Sequence, residues 1–97
     1  MRIIAKKTLR EFWKRHPDAE RPLLAWYREV KREDWKTPAS IKEKYRNASK
    51  IGGNRAVFDI KGNNYRLVTE IDFAHRLVRI RFIGTHDQYD GIDAKRI

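Results

Sequence analysis

The sequence predicts an α+β domain: an N-terminal strand and two helices packed on one face of an antiparallel β-sheet, formed mainly by a C-terminal three-stranded meander. Apolar residues recur at helical spacing between residues 9 and 30. They alternate with polar residues between 55 and 83, the period of half-buried strands. Gly52-Gly53 and the run Lys61-Gly62-Asn63-Asn64 interrupt the chain where a sheet needs turns. At 97 residues, without repeats or a linker, the chain reads as one domain spanning 1–97.

Residues 2–5 form a short apolar run and read as a strand. Thr8 with Glu11 has capping-box spacing and predicts a helix start. Leu9, Phe12, Trp13 and His16 share one face, and Pro17 ends the helix. Asp18 is placed to cap a second helix that tolerates Pro22 in its first turn. There Leu23, Trp26, Tyr27 and Val30 repeat the spacing, with Arg28, Lys31 and Arg32 on the far side. Residues 34–50 are irregular apart from one or two helical turns around 40–45. Ala56, Phe58 and Ile60 then alternate, followed by Tyr65, Leu67, Thr69 and Ile71, and finally Val78, Ile80 and Phe82.

The chain carries 23 Lys+Arg against 13 Asp+Glu, for a net charge of +10. Such a balance predicts a polyanionic partner. Hydrophobic residues make up 40%, too many for a disordered basic tail. Cysteine is absent, which excludes disulfides and thiolate metal sites. No apolar run approaches the ~18 residues of a membrane span, and residues 1–12 do not read as a signal peptide. The expectation is a cytoplasmic protein without membrane contact. No histidine cluster has metal-ligand spacing, and no phosphate-binding Gly motif is present, so neither metal nor cofactor is expected.

Strand register gives the charge a location. Pairing Ile60 with Tyr65 sets Asp59 opposite Arg66 and Arg55 opposite Glu70, with Phe58–Leu67 and Ala56–Thr69 on the core face. Pairing Asp72 with Leu77 brings Arg79 to Glu70 and Arg81 to Val68, with Leu67–Phe82 and Thr69–Ile80 in the core. The exposed face then carries Arg55, Arg66, Arg79 and Arg81 against Asp59 and Glu70. Cross-strand ion pairs account for Arg66 and for one arginine beside Glu70. Arg81 lacks an acidic partner, and it and Arg79 suit a phosphate contact.

Gly84 follows as a turn, Thr85 as a cap, and His86 and Tyr89 at i, i+3 on one short helical turn. An imidazole and a phenol beside arginines can serve phosphodiester cleavage: the imidazole exchanges a proton, and the phenol donates to a phosphate oxygen. His16 and His75 read as structural, and Trp13, Trp26 and Trp35 as core.

Residues 57–68 (VFDIKGNNYRLV), 80–90 (IRFIGTHDQYD) and 35–41 (WKTPASI) resemble, in order, the signatures of HigB-type toxins in the RelE-like superfamily of bacterial toxin–antitoxin systems. Asp59 stands where that pattern has Asn, adding a negative charge to the face. The resemblance implies a small RelE-like fold and a metal-independent endoribonuclease that cuts mRNA on translating ribosomes. It implies neutralisation by a HigA-type helix-turn-helix antitoxin, with operator DNA reached only through that antitoxin. On this chain, Arg81, His86 and Tyr89 fall in the signature as catalytic residues. Arg79, Arg66, Lys61 and Arg55, on or beside the same face, are assigned to RNA binding. The alternative is a non-catalytic basic RNA- or ribosome-binding module, to which +10 would be equally suited. A membrane-surface helix fits poorly, since both helices need their apolar faces for the sheet.

Overall fold

The computed structural model describes residues 1–97. Its elements are β1 (Arg2–Ile4), α1 (Lys6–Arg15), a 3₁₀ turn (Pro17–Ala19), α2 (Glu20–Arg32), α3 (Pro38–Lys44), β2 (Ser49–Lys50), β3 (Arg55–Ile60), β4 (Tyr65–Asp72), β5 (Leu77–Thr85) and α4 (His86–Asp90). The five strands form one sheet in the order β1-β5-β4-β3-β2. β1 lies parallel to β5, with Arg2 beside Leu77, and the remaining pairs are antiparallel. The α+β class and the meander agree with the sequence reading. The pairing of β1 with β5 and the two-residue strand β2 are additions to it.

The helices cover one face. Leu9, Leu23 and Val30 are wholly buried, with Phe12, Trp26 and Trp35 nearly so, against Phe58, Leu67, Ile71 and Val78 of the sheet. Each such aliphatic side chain contributes about 1.5–3 kcal/mol by leaving water. Trp26 meets Phe58 edge-on at 5.4 Å, and Trp35 stacks on Phe58 at 6.2 Å.

Two expected caps are absent. α1 starts at Lys6 directly out of β1, with extended Ala5 as its N-cap and no side-chain cap, so Thr8 lies one turn inside the helix. The chain must double back at once for Leu9 to reach the sheet, which overrides the Thr8/Glu11 spacing. Asp18 does not cap α2; Pro17–Ala19 is a separate 3₁₀ turn. Asp18 instead accepts hydrogen bonds from Lys61 Nζ at 2.7 Å and from the Tyr65 hydroxyl, tying the helical hairpin to the β3–β4 turn.

The β3–β4 register is the one expected, with Ile60 opposite Tyr65, Asp59 opposite Arg66 and Arg55 opposite Glu70. Lys61 and Gly62 both take positive φ in the connecting turn (53° and 63°), a conformation that suits glycine and twists with the strands. The β4–β5 register holds from Asp72–Leu77 to Thr69–Ile80 and then shifts. Val68 faces Phe82 and Leu67 faces Ile83, leaving Arg81 as the extra residue of a β-bulge. The expected pairs Arg81–Val68 and Leu67–Phe82 are therefore corrected.

β5 also runs on to Thr85. Gly84 is not a turn but a buried strand residue: a Cβ there would lie 2.4 Å from the Phe82 ring and 2.7 Å from Gln88 Oε1.

The second face is not open along its length. Val57 and Val68 are buried on it. Residues 93–97 fold back over it as a strap, with the Arg96 and Ile97 amides donating to Asp93 O at 3.0 and 3.3 Å. Arg55, 9% exposed, donates to the main-chain oxygens of Ala94 (3.1 Å) and Ile97. Its expected place on an exposed face is corrected, because the strap supplies its hydrogen-bond partners.

Candidate functional site

The site is built where β5 runs into α4. The bulge removes Arg81 from the ladder and leaves its side chain exposed on the strap-bearing face, where Nε donates to Ile97 O at 3.2 Å. Arg79, two residues earlier, faces Glu70 in the register without closing an ion pair of 4 Å or less. Thr85 ends the strand and caps α4 with a complete capping box. Gln88 N–H donates to Thr85 Oγ1 at 3.1 Å, and Thr85 N–H donates to Gln88 Oε1 at 2.9 Å. This box fixes the direction in which His86 and Tyr89 leave the strand.

His86 is the first residue of α4. Its amide donates to Asn64 O at 3.1 Å, which ties the helix start to the β3–β4 turn. Its Nε2 faces Asp90 Oδ2 at 3.5 Å, four residues on. Its Nδ1 is buried without a protein partner, although the side chain as a whole is about half exposed (45%). An open depression of about 360 Å³ lies here, lined by Asn63, Asn64, Tyr65, Thr85, His86 and Asp87. An imidazole with one edge at an acidic side chain and the ring in an open depression can pass a proton to or from a bound group.

Tyr89 lies under Arg66, whose guanidinium is 6.0 Å from the ring centroid. Arg66 also pairs with Asp59 at 3.3 Å and donates to Asn63 O at 3.2 Å and to Asn63 Oδ1. Only 13% of its side chain is exposed. The guanidinium therefore locks the turn, β3 and α4 together.

Arg66 meets Tyr89 at the turn end of the sheet and His86 is tied to the same turn, but His86 and Tyr89 line different depressions, and Arg81 lies further along the strap-bearing face. The structure does not bring in Lys61, which points toward the helices and pairs with Asp18. Nor does it leave Arg55 free, and Arg79 stands apart on the far side of the bulge. The Lys61 and Tyr65 hydrogen bonds hold the Asp18 carboxyl below the usual carboxylate range, and the same bond to Asp18 pushes the Tyr65 phenol up. His16 stacks on Phe12 at 4.4 Å, and His75 closes a turn onto Asp72 at 2.9 Å, so both are structural.

Sequence reasoning missed Asn63, Asn64 and Asp90 as neighbours of His86. The i, i+4 spacing of His86 and Asp90 was the available signal for the last. No three His, Asp or Glu side chains converge closely enough to hold a metal ion. No helix is long and apolar enough to cross a membrane.

Comparison with known proteins bears on the same region. The family model of the HigB toxin, the RelE-like toxic component of a toxin–antitoxin system, matches residues 19–92. The mRNA interferase HigB of Escherichia coli O6:H1 is 29% identical over 92 residues, covering 93% of this chain and 89% of its own. The mRNA interferase toxin HigB of Escherichia coli K12 is 27% identical over 92 residues, covering 93% and 88%. The mRNA interferase HigB of Shigella flexneri gives the same figures, 27% over 92 residues. The matched residues hold β3, β4, β5 and α4, and with them Arg66, Arg81, His86 and Tyr89: this chain belongs to the HigB family of RelE-like toxins of toxin–antitoxin systems.

Proposed function

We propose that the protein is an endoribonuclease that cuts mRNA, acting on translating ribosomes, without a metal, and restrained by a HigA-type antitoxin. The observation that carries this reading is the bulge at Arg81 running into the capped turn that bears His86 and Tyr89. It offers an imidazole, a phenol and an exposed guanidinium along one strand and the turn that follows it, on a chain whose relatives are named mRNA interferases.

In the proposed reaction the RNA 2′-hydroxyl attacks the adjacent phosphorus. A bond from the 2′-oxygen to phosphorus forms and the bond to the 5′-oxygen breaks, giving a 2′,3′-cyclic phosphate and a free 5′-hydroxyl. The hydroxyl proton leaves to a base, and an acid protonates the departing oxygen. His86 serves as one of these groups. Arg81 meets the charge that develops on the phosphate oxygens, with Arg79 steering the strand toward it. Tyr89 orients or donates to the phosphate, and Arg66 holds the Tyr89 ring in place.

The test is to strip the purified protein of metal by chelator and dialysis, then incubate it with defined mRNA, with and without translating ribosomes, in buffer whose only divalent cation is the Mg²⁺ the ribosomes need. Cyclic-phosphate ends appearing only with ribosomes are expected. Messages that are retained but uncut would favour a non-catalytic binding module, and stripped protein that cuts only after a transition metal is restored would sink the metal-free mechanism.

A further inference from the structure

We infer that the open outer edge of β5, with the groove between it and α1, receives an extended acidic and apolar segment of the antitoxin, added to the sheet as a strand that continues the line of β1. This rests on the reading above for the partner, an antitoxin, and not for the cleavage chemistry.

β1 is the only strand on that side of β5. It pairs with Leu77, Val78 and Arg79 and then leaves the sheet for α1, so β5 runs on from Ile80 to Thr85 with no strand beside it. No main-chain hydrogen bond from outside the sheet reaches residues 80–84. A strand edge of this kind is a template for further pairing. The apolar residues show the same gap. Val57, Phe58, Leu67 and Val68 of β3 and β4 are buried, whereas Ile80, Phe82 and Ile83 of β5 are all half-buried. Ile4, the last residue of β1, is the only large apolar side chain that is exposed, at 41%. It stands where a strand continuing β1 would start.

A groove of about 500 Å³ opens along this edge, lined by Phe12, Phe82, Ile83 and Ile92, with Arg15 and Gln88 also on its walls. The one ion pair within α1 joins Lys7 to Glu11 at 3.8 Å, which leaves the exposed Arg15 without a carboxylate. Chemistry selects the occupant. RNA has no alternating amide donors and acceptors with which to extend a ladder. A second copy of this chain, at +10, would bring like charge to Arg15. A peptide strand with apolar side chains in the groove and a carboxylate for Arg15 satisfies the open edge, the apolar lining and the charge together. Gln88 also closes the capping box of α4, so the bound segment reaches the element that carries His86 and Tyr89.

The experiment compares amide exchange and inter-chain nuclear Overhauser contacts in the intact protein alone and in its complex with the cognate antitoxin, purified after co-expression. Outward amides among residues 80–84 are expected to exchange fast in the free protein and to slow by about ten-fold or more in the complex. They should also contact main-chain protons of one antitoxin segment. Fast exchange in the complex, or protection without such main-chain contacts, overturns the added strand. If the free protein gains the same protection as its own concentration rises, the edge is a self-interface and the antitoxin assignment is overturned.

Charge supplies a second arm. Arg15→Glu is expected to weaken antitoxin binding by about ten-fold or more, and Arg28→Glu, the same change of charge on exposed α2 surface away from the groove, by much less. Equal weakening by the two overturns the acidic occupant. Cleavage of mRNA is scored on the same preparations. A protein that binds the antitoxin through this edge yet cuts no message sinks the RNA-cleaving reading and leaves the edge assignment standing. One that cuts, while its edge stays open in the complex, does the reverse. A protein that forms no complex overturns the antitoxin reading and the edge assignment together.

Discussion

Gly84 shows how one side chain, here an absent one, positions the site. The Phe82 ring and Gln88 Oε1 occupy the space a Cβ would need. Gly84→Ala is expected to cost about 1–3 kcal/mol, the range of overpacking in a tight interior, read by chemical denaturation. Because Gln88 also closes the capping box, the same change should loosen α4. Asp18 acts differently, through charge. Its folded carboxyl sits below 3.8, so its bonds to Lys61 and Tyr65 stabilise the protein fully above that value. The contribution is lost as pH falls through the lowered folded value. Asp18→Asn should therefore flatten the acid limb of the stability–pH curve below about pH 4 and leave its shape at neutral pH unchanged.

Thr85 and α4 make the corresponding case for a structural element. Thr85→Ala removes the side-chain half of the box and is expected to cost about 1 kcal/mol of stability, with RNA cleavage falling by more than that loss explains. The comparison with Thr8 is instructive. Both threonines precede a Glu or Gln by three residues, yet only Thr85 caps. The spacing is a local signal; at Thr8 the need to turn straight out of β1 overrides it.

The strands divide in the same way. Alternation and the Lys61–Asn64 turn made the β3–β4 register legible to the last pair. The bulge was not, because Arg81-Phe82-Ile83 contains no Gly, Pro or change of period to mark it, and one extra residue moved Phe82 off the core face.

For the molecule as a whole, the layer order was legible from the change of period between the two halves. The second face was not. Residues 93–97 have no pattern that announces a strap, so the arginines of that face read as exposed when Arg55 is buried beneath main-chain oxygens. Within the candidate site, the segment 84–90 and its neighbour Arg81 were legible as short motifs, whereas the roles of Arg66, Asn63 and Asp90 depend on contacts between distant parts of the chain. The charge of +10 consequently divides. Helix cations such as Arg28, Lys31 and Arg32 are exposed and suit long-range attraction to a polyanion. Arg66 is structural glue, and Arg81 is the exposed guanidinium on the strand that leads into His86.

The decisive measurement is a map of new 5′ ends in cellular RNA after induction of the parent chain, Arg81→Ala and His86→Ala, with folding of each variant checked by circular dichroism. The parent should generate new ends within messages and arrest growth, while both folded variants generate at least about a hundred-fold fewer ends, the usual contribution of a proton-transfer or oxyanion group. Folded variants that cut as many messages as the parent would contradict a cleavage site at the end of β5.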